Sequence, residues 1–364
     1  STGQIFFVVG IVGMLATATL LTMALAGNVQ AAEIRSVGPD GEAAVDASTI
    51  ELTDDQIAQI KEGGYTAAIC LHYGGNDWST SQQKGLEDTF GELGIEIVAV
   101  TDANFSAETQ VSNIETVMAK KPDILVSIPT DATATADAYK QAAAAGIKIV
   151  FMDQRADGLE AGKDYVSVVS ADNYGNGYAS GTVLGDALGG KGKVAMVYYD
   201  ANFAPTNQRD EGFRDAMKNY PDIEIVTEQG FTDESGCAEQ GDAILTQFPN
   251  IDGIYASWDV PMEGVLSAVR AAGMEGKVTL ACNDLGNNVA REIASGNIAG
   301  GGAQMPYDQG VAEAKLAALA LLGEETPSYV AVPAETVTHE NVLEAYTDVY
   351  HVETPDWLKE AYVE

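Results

Sequence analysis

The chain has 364 residues, 46% of them apolar, with 54 acidic against 19 basic side chains and a formal net charge of −35. That length suits two domains and that apolar content fills real cores. The acidity excludes a nucleic-acid binder, which needs a basic surface, and an anionic ligand gathered by long-range attraction; it reads as a solvated, non-sticking surface.

Taken in chain order, Ile5 to Ala26 is an almost unbroken apolar run, followed by Val29-Gln30-Ala31-Ala32, a small-x-small pattern. Residues 1–32 therefore read as a secretory signal peptide, or as an uncleaved anchor, since the run is long enough to span a bilayer. No cysteine stands at the cleavage point, which argues against a lipoprotein. The rest of the chain is expected outside the cytoplasm, periplasmic or extracellular. Residues 33–63 read as a leader, Gly-, Asp- and Ala-rich and flexible through residue 50, ending in a short helix that starts at Thr53-Asp54-Asp55.

A regular alternation follows. Apolar runs lie at 66–73, 95–100, 123–128, 147–152, 165–170, 193–199, 223–226, 253–257, 277–282 and 299–304. Segments of helical length and period separate most of them, such as Ser81–Leu93, Thr133–Ala145 and Gln208–Asn219. Continuous apolar strands alternating with amphipathic helices mean α/β architecture with parallel sheets covered on both faces, and about ten strands mean two doubly wound units. Gly94, Gly146 and Gly273 each follow a helix, where the left-handed conformation is needed. Ser170-Ala171-Asp172-Asn173 suits a crossover between the units, with Asp172 as a cap.

Other signals are ordinary. The run Gly185 to Lys191 has the spacing of a phosphate loop, but Gly192 replaces the required Ser or Thr and a strand follows it, so it reads as a helix end and turn. The Gly74-Gly75 pair has no third glycine at dinucleotide spacing. Cys70 and Cys282 sit in apolar strands as small buried hydrophobes, and three widely spaced cysteines make neither a disulfide scaffold nor a zinc site. The three histidines are scattered, so no metal, no cofactor and no catalytic group is expected. Pairing Asp77 with His72 or Glu87 has nothing in its spacing to favour acid–base chemistry over surface carboxylates.

The informative residues recur after the predicted strands: Asn76-Asp77-Trp78, Asp153-Gln154-Arg155, Asp172-Asn173, Arg209, Trp258-Asp259, Asp284 and Gln304. They fall at the strand ends where open α/β sheets bind ligands. Amides, carboxylates, an arginine and aromatic faces are what a neutral polyhydroxy ligand needs. Arg155 has an alternative partner in Asp157, and Phe203 and Tyr73 suit a cleft wall and packing equally.

These residues, in this order, resemble the periplasmic sugar-binding proteins of ABC importers, the ribose-binding group of the type I periplasmic-binding fold. The resemblance covers roughly 64–340. It rests on Asn76-Asp77-Trp78, Pro129-Thr130-Asp131, Asp153, Ser170 to Asn173, Arg209 to Phe213, Ala256 to Asp259, Asp284, and Ala303-Gln304 with Asp308-Gln309-Gly310. It implies two doubly wound parallel-sheet domains joined by three crossing segments near 171–172, 304 and 333. The lobes would be 64–171 plus 305–333 and 172–304 plus 334–345, with 346–364 a C-terminal tail packed on a domain surface. It further implies that Trp78 and Phe231 sandwich a sugar ring, that Asp153, Arg209, Asp284 and Gln304 bond its hydroxyls, and that Asn76 assists. Asp77, Gln154, Arg155 and Trp258 join them as candidate contacts.

Four positions depart from the ribose group: Gln154 stands for Arg, Trp258 for Asn, Ile128 for Asn and Asn283 for an aromatic. They leave a different pentose, a hexose, a deoxysugar or a polyol open beside ribose. The implied protein is a monomeric receptor without chemistry, whose partners are the sugar or polyol and a membrane ABC permease. Two alternatives remain: a receptor of the same fold that passes a furanone autoinducer or chemotaxis ligand to a membrane sensor, and a secreted sugar-active enzyme.

Overall fold

The computed structural model describes residues 33–364; the signal-like segment 1–32 lies outside them. The first lobe is built in strict alternation. It starts with β1 (Val45–Asp46) and α1 (Asp54–Glu62), then β2 (Thr66–Leu71), α2 (Asp77–Glu92), β3 (Glu96–Asp102) and α3 (Ala107–Met118). β4 (Ile124–Ser127), α4 (Ala136–Ala144), β5 (Lys148–Met152) and β6 (Ser167–Ala171) complete it. The chain then crosses to a second lobe of α5 (Asn173–Ala187), β7 (Lys191–Tyr199), α6 (Ala204–Met217), β8 (Asp222–Phe231), α7 (Cys237–Gln247), β9 (Gly253–Ala256), α8 (Asp259–Ala271), β10 (Thr279–Cys282), α9 (Asn287–Ala294) and β11 (Gly300–Ala303). It returns through α10 (Pro306–Leu321) and β12 (Tyr329–Val332) and crosses a third time to β13 (Glu335–Thr338), α11 (Val342–Tyr350) and α12 (Asp356–Ala361).

The seven-stranded sheet has order β1-β12-β6-β5-β4-β2-β3 and the six-stranded sheet β13-β11-β10-β9-β7-β8. All pairs are parallel except β11 with β13. The three crossings run between β6 and α5, between β11 and α10, and between β12 and β13, as the resemblance implied. Strand order reverses between β2 and β4 in one sheet and between β7 and β9 in the other, which opens a crevice at the carboxyl ends of both.

Local chemistry accounts for most elements. β4 and β6 are buried at every residue, as continuous apolar runs covered on both faces must be. Thr53 and Gln56 form a reciprocal capping box on α1. Gly94, Gly146 and Gly273 take φ of 67°, 84° and 68° beyond their helices. The phosphate-loop decoy is the end of α5, a turn through Gly189 and Gly190, and the start of β7. The three cysteines are free and buried.

The sequence reading differs from the structure in three places. β8 runs on through Thr227-Glu228-Gln229 to Phe231, because it is an edge strand with a wet face and needs no apolar run there. β12 and β13 carry little sequence signal because they are four residues each and flank Pro333. The leader is not flexible. β1 pairs with β12, and Arg35 N, Ser36 N and the Ser36 hydroxyl all donate to the fully buried Asp172 carboxylate at 2.9, 3.0 and 2.7 Å. A buried carboxylate needs such donors, and the leader supplies them at the first crossing segment.

The tail packs on the second lobe. Tyr346 lies edge-on to Trp357, and Arg291 of α9 stacks over the Trp357 ring at 4.8 Å. The Tyr346 hydroxyl donates to Asn287 Oδ1 at 2.6 Å and the Tyr350 hydroxyl to the Leu285 carbonyl.

Candidate functional site

The crevice between the lobes narrows to a cavity with about 40 Å³ of free volume. Hydrogen bonds from the Trp78 indole to Gln304 and from Asn287 N to Asp77 hold the lobes closed around it. Every wall comes from the end of a strand or the start of the next helix. His72, Tyr73, Asn76 and Trp78 follow β2; Phe105 follows β3, Ile128 β4 and Asp153 β5. From the second lobe, Phe203, Pro205, Thr206 and Arg209 follow β7, Trp258 and Asp259 follow β9, Asp284 follows β10 and Gln304 follows β11.

A polar chain runs along one side. Asp153 Oδ1 accepts from the Ser170 hydroxyl and Ala171 N, both at 3.1 Å, and from Asn173 Nδ2 at 3.3 Å. Asn173 Oδ1 accepts from Arg209 Nε at 3.1 Å. The same guanidinium donates to the Ser257 carbonyl at 3.3 Å and lies 3.8 Å from Asp284 Oδ2. Asp284 accepts from Gln304 Nε2, and Gln304 Oε1 accepts the Trp78 indole N–H at 3.0 Å. One arginine thus stands between two carboxylates, one from each lobe. Gly177 of α5 fixes its height, since a β-carbon there would overlap the Arg209 carbonyl.

Both carboxylates sit in strained backbone. Asp153 has φ 61° and Asp284 φ 75°, left-handed conformations that a side chain adopts at a cost. Burial raises the pKa of both, and Arg209 opposes the rise at both. Asp259 has no cation beside it; burial first, then the Asp284 charge, holds it well above the usual carboxylate range. His72 is pushed down to about 3 by burial and by Arg209, so its imidazole is neutral.

Aromatic rings line the other side and meet across the crevice. His72 stacks on Phe203 (centroids 5.9 Å, 8°) and Phe105 approaches Tyr199 at 5.9 Å. The Glu234 carboxylate accepts the Trp258 indole N–H at 3.0 Å, and burial first, then the Glu234 charge, raises the pKa of the Tyr73 hydroxyl.

Of the residues expected at the site, Asn76, Trp78, Asp153, Arg209, Trp258, Asp284 and Gln304 come together on the cavity. Four do not. Asp77 turns to the other lobe and accepts Asn287 N at 2.8 Å. Gln154 Nε2 donates to the Pro129 carbonyl and its Oε1 accepts Ala204 N, so it bridges the lobes beside the cavity. Arg155 is a correction: it forms a two-pronged pair with Asp40 of the leader at 2.9 Å, drawn outward by a carboxylate the sequence reading had placed in a flexible segment. Phe231 is a correction as well: it is buried against Trp258, with centroids 5.2 Å apart, so of the two Trp258 and not Phe231 presents its ring to the cavity. Asn283 is buried in packing, with Nδ2 on Tyr255 and Ser257.

Phe203 and Tyr73 resolve as cavity walls. Asp259, from the expected set of strand-end residues, is a wall as well, and His72, Phe105, Ile128, Pro205 and Thr206 are walls not singled out as contacts; their common signal is position, each lying between a strand's carboxyl end and the first turn of the next helix. Among the described residues no group of three or more His, Cys, Asp or Glu is placed to hold a metal ion, and no helix is long and apolar enough to cross a membrane.

A family model for a periplasmic binding protein domain matches residues 67–325. The chain is 29% identical over 273 residues to the D-ribose/D-allose-binding protein of Pseudomonas aeruginosa, covering 72% of this chain and 83% of that protein. It is 24% identical over 272 residues to the ribose import binding protein of Salmonella typhimurium, covering 75% and 90%. Among solved structures, an ABC transporter periplasmic solute-binding protein from Actinobacillus succinogenes with bound D-allose is 29% identical, covers 76% of this chain and 99% of its own, and superposes with a TM-score of 0.71. One from Agrobacterium vitis with bound α-D-tagatopyranose is 25% identical over 80% of this chain and all of its own, with a TM-score of 0.72.

Proposed function

The chain belongs to the periplasmic binding protein family, and from that premise we propose that it captures a neutral monosaccharide or polyol in the crevice and delivers it, unaltered, to an ABC permease outside the cytoplasm. The family is one of binding proteins, and the relatives named above carry sugars. The observation that carries the reading is Arg209 held between Asp153 and Asp284 with indole faces nearby. Carboxylates accept from hydroxyls, the guanidinium donates to them, and the rings cover C–H faces. A ligand that bonds both carboxylates, one from each lobe, binds the closed form more strongly than the open one and so shifts the population toward closure.

A thermal-shift screen against pentoses, hexoses, deoxysugars, alditols and inositols tests it. A saturating neutral ligand raises the melting temperature through linkage. Stabilisation by charged compounds alone would refute the reading.

A further inference from the structure

His72 stands apart from the other polar groups of the cavity. The residue immediately follows β2, its backbone carbonyl is taken by Phe105 N at 2.8 Å, and it is 5% exposed. Its ring is caged by Phe203, Trp78 and Phe105 at 5.9, 5.6 and 5.3 Å. Neither ring nitrogen has a hydrogen-bond partner among the described residues, and Nδ1 is fully buried. The neighbouring polar side chains are engaged: Asn76 with Ser79, Gln304 with Asp284 and Trp78, and the Trp258 N–H with Glu234.

An unpartnered polar group in a closed cavity is destabilising unless something in the cavity pairs with it. The cage contains no carboxylate to hold an imidazolium, and a neutral imidazole offers one donor and one acceptor. A hydroxyl, which both donates and accepts, is the group that fits. We infer that His72 is a specificity-determining ligand contact that hydrogen-bonds one particular hydroxyl of the bound sugar or polyol, at the aromatic end of the cavity and apart from the carboxylates. This assignment rests on the function proposed above. It makes the site selective for where a hydroxyl lies, because a ligand with a bare carbon at that place leaves the imidazole unpaired.

The test uses the sugar or polyol that most raises the melting temperature, from a panel of D-ribose, D-allose, D-arabinose, D-xylose, allitol and myo-inositol, together with its monodeoxy analogues. Affinities are measured by calorimetry for the wild type and for His72→Phe, which keeps the ring and removes both nitrogens. The variant should bind the parent compound roughly tenfold to a hundredfold more weakly. One deoxy analogue should lose a similar factor on the wild type and nothing further on the variant. Equal affinity of variant and wild type, or the same loss for every analogue, overturns the assignment. Should the variant not fold, imidazole nitrogen NMR on the wild type decides: the assigned contact moves the His72 ring-nitrogen shifts on adding the sugar, and unmoved shifts overturn it. If no panel member binds the wild type, the proposed function itself fails, an outcome distinct from a wild type that binds and a His72→Phe variant that binds as well.

Discussion

The Asp77 carboxylate, in the first turn of α2, accepts the backbone N–H of Asn287 at 2.8 Å, and Asn287 is the first residue of α9 in the opposite lobe. An acidic group on a helix N-terminus is favourable on two counts, the hydrogen bond and the dipole. Here it ties lobe to lobe without touching the cavity. Asp77→Ala should therefore weaken ligand affinity by roughly tenfold by disfavouring closure. Small-angle scattering on the ligand-saturated variant should show a larger fraction of open molecules; an unchanged closed fraction and affinity would rule the tie out.

Arg209 bonds Asn173 and Ser257 and faces Asp284. Removing it leaves Asp153 and Asp284 buried with no cation between them. Arg209→Ala should reduce affinity by more than about a hundredfold and lower the melting temperature as well. Arg209→Lys should recover little, because an ammonium cannot make the two forked bonds. Calorimetry on both variants decides it, and near-normal affinity in either would contradict the geometry.

Glu313 is fully buried, with both carboxyl oxygens on Gln82 Nε2 at 2.8 and 2.7 Å and Gln82 Oε1 without a partner. Burial raises its pKa well above 4.5, and Asp153 adds to the rise. The folded protein thus holds this proton more tightly than the unfolded chain. The resulting stability is complete below about pH 4.5 and declines as pH rises toward the folded value, by up to about 1.4 kcal/mol per pH unit. Glu313→Gln removes the titration. The wild-type melting temperature, relative to that of Glu313→Gln, should fall as pH rises above about 4.5; parallel curves would show that Glu313 does not titrate there.

The Tyr350 hydroxyl donates to the Leu285 carbonyl, in the loop between Asp284 and α9. The tail therefore braces a cavity wall from behind. Tyr350→Phe should cost about 1 kcal/mol of stability and weaken ligand binding severalfold. A loss of stability with no change in affinity would confine the tail to packing.

With 54 acidic against 19 basic side chains, the folded surface repels itself. Raising salt from about 0.01 to 1 M shortens the Debye length from roughly 30 to 3 Å. The melting temperature should climb over that range, while affinity for a neutral sugar stays nearly flat. Affinity that falls steeply with salt would indicate a charged ligand.

The alternation of β4, β5 and β6 with helices was legible because each strand is buried on both faces and written in apolar residues. β8 was legible only over its first half, since its edge position allows Thr227-Glu228-Gln229 in a strand. The carboxylates and Arg209 were legible because they stand directly beyond such runs. Gln154, Arg155 and Phe231 were not, because the direction of a side chain depends on partners distant in sequence: Ala204, Asp40 and Trp258 lie 50, 115 and 27 residues away. The leader hid its order for the same reason, since the donors of Arg35 and Ser36 serve a carboxylate 137 and 136 residues on.

The left-handed backbone at Asp153 and Asp284 has a practical consequence for engineering. Glycine at either position would relieve on the order of 1 kcal/mol of conformational cost, but it would strand the buried Arg209 and the donors each carboxylate satisfies, at a cost of about 3–5 kcal/mol. A campaign that ranks variants by thermal tolerance alone would therefore discard both replacements. The two aspartates that face Arg209 from opposite lobes serve fold and ligand at once, so an affinity lost in a variant at either position is to be read beside its melting temperature.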